Sequence, residues 1–152
     1  GYRYSTKVTR LAMPDYMADT GEREQIRAEN RKAADRILQL CRENGAQLLL
    51  VELPTVTSWN AARHRGVAEF AAARELEFLD LNLLYDQMGL DGTVAFRDAG
   101  NHLNVTGATA VTAYLGRYIA RQYRLPDLRG NSRYANRQEE WVCYRRFVNG
   151  NI

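Results

Sequence analysis

Residues 46–54, "AQLLLVELP", and the shorter stretch "LEFLDLN" at residues 76–82 decide the fold of this chain. The first is a continuous apolar run that ends at Pro54, as expected of a strand buried on both faces of a sheet. The second is a short strand of the same kind, and residues 60–75 between them carry apolar side chains at helical spacing. Strand, helix and strand in this order predict a parallel α/β unit with a right-handed crossover.

Further elements are predicted on both sides of this unit. Residues 22–44 have apolar side chains at helical spacing, and Gly45 supplies a helix C-terminus. Another helix is predicted from Asn104 to about Tyr123. Near the start, "YRYSTKVTRL" (residues 2–11) alternates as a half-buried strand would. Two interior strands, or three with this one, are few for a sheet covered on both faces. We therefore expect one incomplete α/β domain, either the C-terminal half of a larger domain or a chain whose strands pair with another copy in a homo-oligomer.

Composition limits the classes of protein to which the chain can belong. Its 152 residues suffice for one domain with a core, and 45% hydrophobic with 26% charged residues is typical of a folded globular chain. The 21 basic residues are interspersed with 18 acidic ones, so no nucleic-acid partner is predicted. Two histidines and two cysteines form no cluster at zinc-site spacing, and neither a metal nor a cofactor is predicted. No apolar run is long enough for a membrane segment.

The tail, residues 124–152, differs in composition from the rest of the chain, and Pro126 and Gly130 break the preceding helix. Arginines alternate there with aromatic residues, and three acidic residues dilute the charge. We interpret the tail as an amphipathic segment that wraps the domain, with Trp141 and Tyr144 as anchors. The alternative is that the arginines and aromatic rings stack on bases or sugars of a ligand.

The stretch "DAGNHLNVTGA" at residues 98–108 contains the candidate catalytic residues. It lies on a loop before the last predicted helix, and functional groups of parallel sheets gather on such loops. A histidine that acts as a general base needs a carboxylate to fix its tautomer, and Asp98 stands four positions before His102. Asn104 is a good N-cap that would hold the loop rigid. The alternative is that Asp98 caps a turn and His102 packs locally.

The block "FRDAGNHLNVTGATAVTAYLGRYI" resembles the C-terminal block of SGNH (GDSL-type) hydrolases, and "LLLVELP" and "FLDLN" resemble the late strands of that family. The resemblance covers roughly residues 25–123. It implies a three-layer parallel α/β sheet of the flavodoxin-like type and an esterase or acyltransferase that acts on acyl esters of small molecules or of carbohydrate and cell-envelope polymers. It also implies His102 as the general base, Asp98 as its orienting carboxylate, and an extracellular or cell-envelope location with any signal or anchor lying upstream.

This sequence departs from the family pattern in two respects. Three residues separate Asp98 from His102 where the family has two, and a bulge at Gly100 would absorb the extra residue. No Gly-Asp-Ser-type block with a nucleophilic serine is present, so the isolated chain is expected to be inactive. Ser58, on the loop "PTVTSWN", is the remaining candidate nucleophile, although helix capping is the favoured role for it. His64 is predicted to be a surface residue. The competing interpretation of the whole chain is a non-catalytic binding or interaction module with an SGNH-like fold.

Overall fold

A computed structural model describes residues 3–150 of the chain. Within this range there are five helices and two strands, and 3₁₀ turns at Leu81–Leu83 and Ser132–Tyr134 precede α3 and α5. The elements, in chain order, are α1 (Ala28–Glu43), β1 (Leu49–Glu52), α2 (Ala61–Ala72), β2 (Glu77–Asp80), α3 (Tyr85–Met88), α4 (Val105–Gln122) and α5 (Ala135–Val148).

The strands form a parallel pair connected by α2, which confirms the prediction of a mixed α/β chain. Leu49 faces Glu77 at one end of the register and Glu52 faces Asp80 at the other. The expectation that β1 is buried on both faces is wrong, because every residue of β1 is only half-buried. A two-stranded sheet leaves the second edge of each strand without a neighbouring strand, so its side chains are incompletely covered.

The apolar spacing predicted that the first helix begins at residue 22, but helix α1 begins at Ala28. Residues 22–27 have no regular secondary structure, and tertiary contacts take backbone groups in this segment. Glu24 N donates to the carbonyl of Ala62 at 3.0 Å, and the Arg65 guanidinium donates to the carbonyl of Glu22 at 2.5 Å. Gly66 permits this approach to α2, since a Cβ at this position would lie 1.9 Å from Glu24 O.

The N-terminal strand prediction is wrong for the residues that the structure describes; Gly1 and Tyr2 lie outside them. Residues 3–11 contain no strand. Their bonds to other backbone groups go to three separate positions: Thr9 N donates to Phe96 O, Leu11 N donates to Thr93 O, and Ser5 O accepts from the first residue of α4. Bonds to such widely spaced partners do not form a β-ladder.

The described chain divides into two compact units, residues 3–111 and residues 112–150, and α4 runs across the division. The first unit contains the sheet, α1, α2, α3 and the start of α4. All fully buried apolar side chains of the described chain lie between Leu38 and Val111. The second unit contains α5, which has no buried residue and was not predicted as a separate helix.

Candidate functional site

The loop that carries Asp98 and His102 is closed at its base by backbone contacts. Phe96 and Leu103 form an antiparallel bridge, and Arg97 N donates to His102 O at 3.0 Å. Phe96 is completely buried, so the base of the loop is fixed in the core. We call residues 97–103 the acid–base loop.

Asn104 connects the acid–base loop to α4, as predicted for an N-cap. Its Oδ1 accepts from Gly107 N at 3.1 Å, and its Nδ2 donates to the carbonyls of Val94 at 2.7 Å and Lys7 at 3.2 Å. The side chain is fully buried and each of its polar groups is bonded. The start of the helix therefore holds the end of the loop in one position.

The third residue between Asp98 and His102 is accommodated by two residues with positive φ. Ala99 has φ 56° and Gly100 has φ 100°, which is the bulge that the spacing required. The backbone turns back at these positions, so Asp98 and His102 meet despite the additional residue. Gly100 also packs closely, since a Cβ there would lie 2.8 Å from the Cβ of Val56.

Both oxygens of Asp98 contact His102. Oδ2 lies 2.6 Å from His102 Nδ1, and Oδ1 accepts from the backbone N–H of His102 at 2.7 Å. The expected side-chain contact is therefore present, and the turn-capping contact of the alternative occurs at the same time. An ionised carboxylate only accepts hydrogen bonds, so the proton of the imidazole is placed on Nδ1. Nε2 then carries the lone pair that a general base needs.

The surroundings of Asp98 keep its carboxylate ionised. Partial desolvation acts to raise the pKa of Asp98, but the hydrogen bonds from the ring and the backbone of His102 outweigh it and lower the pKa below its usual value. Arg97 Nε, 3.8 Å from Oδ2, acts in the same direction. The His102 side chain is 55% exposed, so the ring is accessible to a reactant from solvent.

Ser58 lies beside the acid–base loop, but its hydroxyl is not bonded to His102 in the described part of the chain. It donates to Asn101 Oδ1 at 3.2 Å and lies 3.2 Å from Thr55 Oγ1. The prediction that Ser58 helps to cap α2 is wrong, because the Ser58 hydroxyl contacts Thr55 and Asn101, and Asn60 caps the helix by accepting from Arg63 N at 2.8 Å. As a nucleophile, Ser58 would have to exchange its bond to Asn101 for one to His102 Nε2.

A second histidine–carboxylate pair was missed by the sequence reasoning. His64 Nδ1 lies 2.7 Å from Asp80 Oδ2, so the prediction of a plain surface residue is wrong. The Asp80 side chain is only 1% exposed, and that of His64 is 28% exposed, with its ring packed against Phe78. The available signal was the position of Asp80 at the carboxyl end of β2, where functional groups of parallel sheets gather.

Glu52 adds a second carboxylate to this end of the sheet. It ends β1 opposite Asp80 in the register. Burial, with the negative charge of Asp80 as the second cause, raises the pKa of Glu52 to about 6. Glu52 therefore changes its charge at a higher pH than an ordinary glutamate does, near pH 6.

Searches of the chain against protein-family models, curated proteins and solved structures found no match. Within residues 3–150, no helix is both long and apolar enough to traverse a bilayer.

Proposed function

We propose that this chain supplies the Asp–His half of a serine ester hydrolase of the SGNH type. The observation that carries the proposal is the contact of 2.6 Å between Asp98 Oδ2 and His102 Nδ1 on a closed loop before α4. A carboxylate that fixes the imidazole tautomer and a ring that a serine hydroxyl can reach are features of a general base in serine hydrolases.

In the proposed reaction, a serine hydroxyl attacks the carbonyl carbon of an ester and His102 Nε2 accepts its proton. The protonated His102 then donates this proton to the alcohol that leaves, and Asp98 stabilises the imidazolium in between. Water completes the cycle by the same route, with His102 again as the base. Asn104 takes no part in proton transfer and holds the loop through its buried hydrogen bonds.

The nucleophilic serine is proposed to lie outside these 152 residues, with Ser58 as the second candidate. On this proposal the β1–β2 pair belongs to a larger three-layer, flavodoxin-like sheet. The half-buried side chains of β1 support this, because further strands and helices would complete their burial. Acyl esters on carbohydrates or cell-envelope polymers are the proposed substrates, and the cell envelope or the extracellular space is the proposed location.

The test uses the protein expressed at the full length that its gene encodes. We expect hydrolysis of p-nitrophenyl acetate and labelling of one serine by a fluorophosphonate. His102→Asn should lower kcat by about 10²–10⁴-fold because it removes the base, and Asp98→Asn by a similar factor because it removes the carboxylate that fixes the tautomer and stabilises the imidazolium. The matched control is His64→Asn, which removes the other paired histidine. Turnover that survives His102→Asn would reject the proposal, and loss of labelling in Ser58→Ala would identify Ser58 as the nucleophile.

A non-catalytic interaction module is the second candidate function, and the surface of the second unit favours it. A groove of about 720 Å³ lies between Leu128 and Val142, with Tyr134 and Trp141 in its wall and arginines at its edge. The Trp141 side chain is 58% exposed. Titration of Trp141 fluorescence with polygalacturonate, an acidic polysaccharide, against neutral dextran tests this function, with Trp141→Phe as the control for the signal.

A further inference from the structure

Asp80 is the centre of a buried polar cluster in the first unit. Its Oδ2 accepts from Trp59 Nε1 at 2.8 Å and from His64 Nδ1 at 2.7 Å. Its Oδ1 accepts from the backbone N–H of Asn82 at 2.9 Å and from Asn82 Nδ2 at 2.8 Å. A buried carboxylate with four donors is held rigidly, and its removal would leave several of those donors unpaired.

The cluster holds both ends of residues 53–59, which form the connection from β1 to the N-cap residue of α2, Asn60; we call these residues the connecting segment. At the first end, Asn82 Oδ1 accepts from Thr55 N at 2.9 Å and Asn82 Nδ2 donates to Leu53 O at 3.2 Å. At the other end, Trp59 is bonded directly to Asp80. The course of this connecting segment therefore depends on one buried carboxylate and on its immediate partner, Asn82.

The same segment is hydrogen-bonded to the acid–base loop. Val56 N donates to Gly100 O at 2.7 Å, and the hydroxyls of Thr57 and Ser58 each donate to Asn101 Oδ1 at 3.2 Å. Gly100 and Asn101 directly precede His102 in the chain. A shift of the connecting segment would therefore shift the backbone that carries the imidazole.

We propose that Asp80 is a positioning residue for the Asp98–His102 pair, which it places through Trp59, Asn82 and residues 53–59. This inference rests on the proposed function, because it concerns the geometry of the same general base. Asp80 is not a catalytic residue on this account, since four protein donors occupy its oxygens and no reacting atom needs to contact it. Its substitution should change how well the base is aligned and not how substrate is bound.

The decisive measurement is the NMR signal of the hydrogen-bonded Nδ1 proton of His102, recorded with ¹⁵N-labelled protein at low temperature. The wild-type protein should show this proton and the Nδ1–H tautomer. Asp80→Asn and Trp59→Phe should weaken or remove the signal and shift the amide resonances of Gly100 and Asn101. Trp59→Phe keeps the ring packing and removes a single donor, so it remains informative where Asp80→Asn fails to fold.

His64→Phe is the matched control, because it removes another partner of the same carboxylate that does not touch the connecting segment. It should leave the Nδ1 proton of His102 and the amides of Gly100 and Asn101 unchanged. In the full-length protein, Trp59→Phe should lower kcat by about 10–100-fold with KM unchanged, as a misalignment of about 1 Å would.

The outcomes separate this inference from the proposed function. A His102 Nδ1 signal that persists unchanged in Asp80→Asn and in Trp59→Phe overturns the positioning role and leaves the proposed function intact. A wild-type protein without the Nδ1–H tautomer overturns the proposed function and the inference with it. Equal loss of the signal in His64→Phe and Trp59→Phe also overturns the inference, because the effect would then not pass through residues 53–59.

Discussion

Glu52 and Asp80 end the two paired strands, and the raised pKa of Glu52 predicts a measurable pH dependence of stability. Unfolding returns Glu52 to its ordinary pKa near 4.5 from a folded value of about 6. The folded protein therefore loses stability as pH rises through about 6, because the ionised form is disfavoured in the folded state. Glu52→Gln should raise the free energy of unfolding at pH 7.5 by about 1 kcal/mol, after allowance for partial exposure, and change it little at pH 4.

Urea denaturation at both pH values measures this effect, and Glu22→Gln is the control on an exposed side chain. The same small change for Glu52→Gln at pH 4 and at pH 7.5 would contradict the assignment. An unaltered stability of the control at both pH values establishes that loss of a surface charge alone is not the cause.

Asp98 predicts a pH dependence of the opposite sign. Its pKa is lowered in the folded protein, so the stability that it contributes is present at pH 5 and is lost as pH falls through the lowered pKa. The difference in unfolding free energy between wild type and Asp98→Asn should therefore be larger at pH 5 than at pH 2. Urea denaturation at the two pH values checks this, with Asp15→Asn as the exposed control. An equal difference at both pH values would exclude an ionised Asp98–His102 contact.

The two histidine–carboxylate pairs differ in how far the sequence could reveal them. Asp98 and His102 share one short loop, so their spacing and the family resemblance together predicted a contact that the spacing alone left open. His64 and Asp80 lie on α2 and β2, and their contact depends on how the helix packs across the sheet. Spacing along the chain carries no information on that packing. The bonds of Ser58 to Asn101 were unpredictable for the same reason.

At the scale of elements, the close approach of α4 to residue 95 depends on Gly107. A Cβ at this position would lie 2.6 Å from Ala95 O and 2.8 Å from Leu103 Cδ2. Gly107→Ala should therefore destabilise the protein by about 1–3 kcal/mol, as overpacking against backbone does. Gly116→Ala on the same helix is the matched control, because nothing lies within 4 Å of its added Cβ. This control should be stabilising by up to about 1 kcal/mol through helix propensity. Thermal unfolding followed by circular dichroism measures both, and equal effects would contradict the close approach.

Element boundaries were predictable wherever local signals decided them. Helix α4 was expected from Asn104 to about Tyr123 and occupies Val105–Gln122, because a capping side chain defines its start. The first helix was expected six residues too early. The helix begins later because Ala62 and Arg65 form hydrogen bonds with the backbone of Glu24 and Glu22. These residues lie about forty positions apart, and the spacing of apolar residues does not predict such contacts.

At the scale of the whole molecule, the uneven distribution of buried side chains predicts an uneven stability. The core lies within the first unit, whereas the 14 residues of α5 bury no side chain. An isolated helix of this length is marginal in water. We therefore expect amide hydrogens of α5 to exchange at least about 10²-fold faster than those of β2, which opens only with the core.

Hydrogen exchange followed by NMR measures this difference, and the amides of α4 between residues 105 and 111 serve as the internal reference for a helix inside the core unit. Protection of α5 equal to that of β2 would contradict the expectation and would show that α5 is covered in solution. Hydrogen exchange and light scattering over a dilution series would then identify the contact that protects α5. If protection and molecular mass both fall with dilution, a second copy of this chain protects the helix. Protection that is independent of concentration comes from contacts within one chain, because a dimer contact would be lost by mass action.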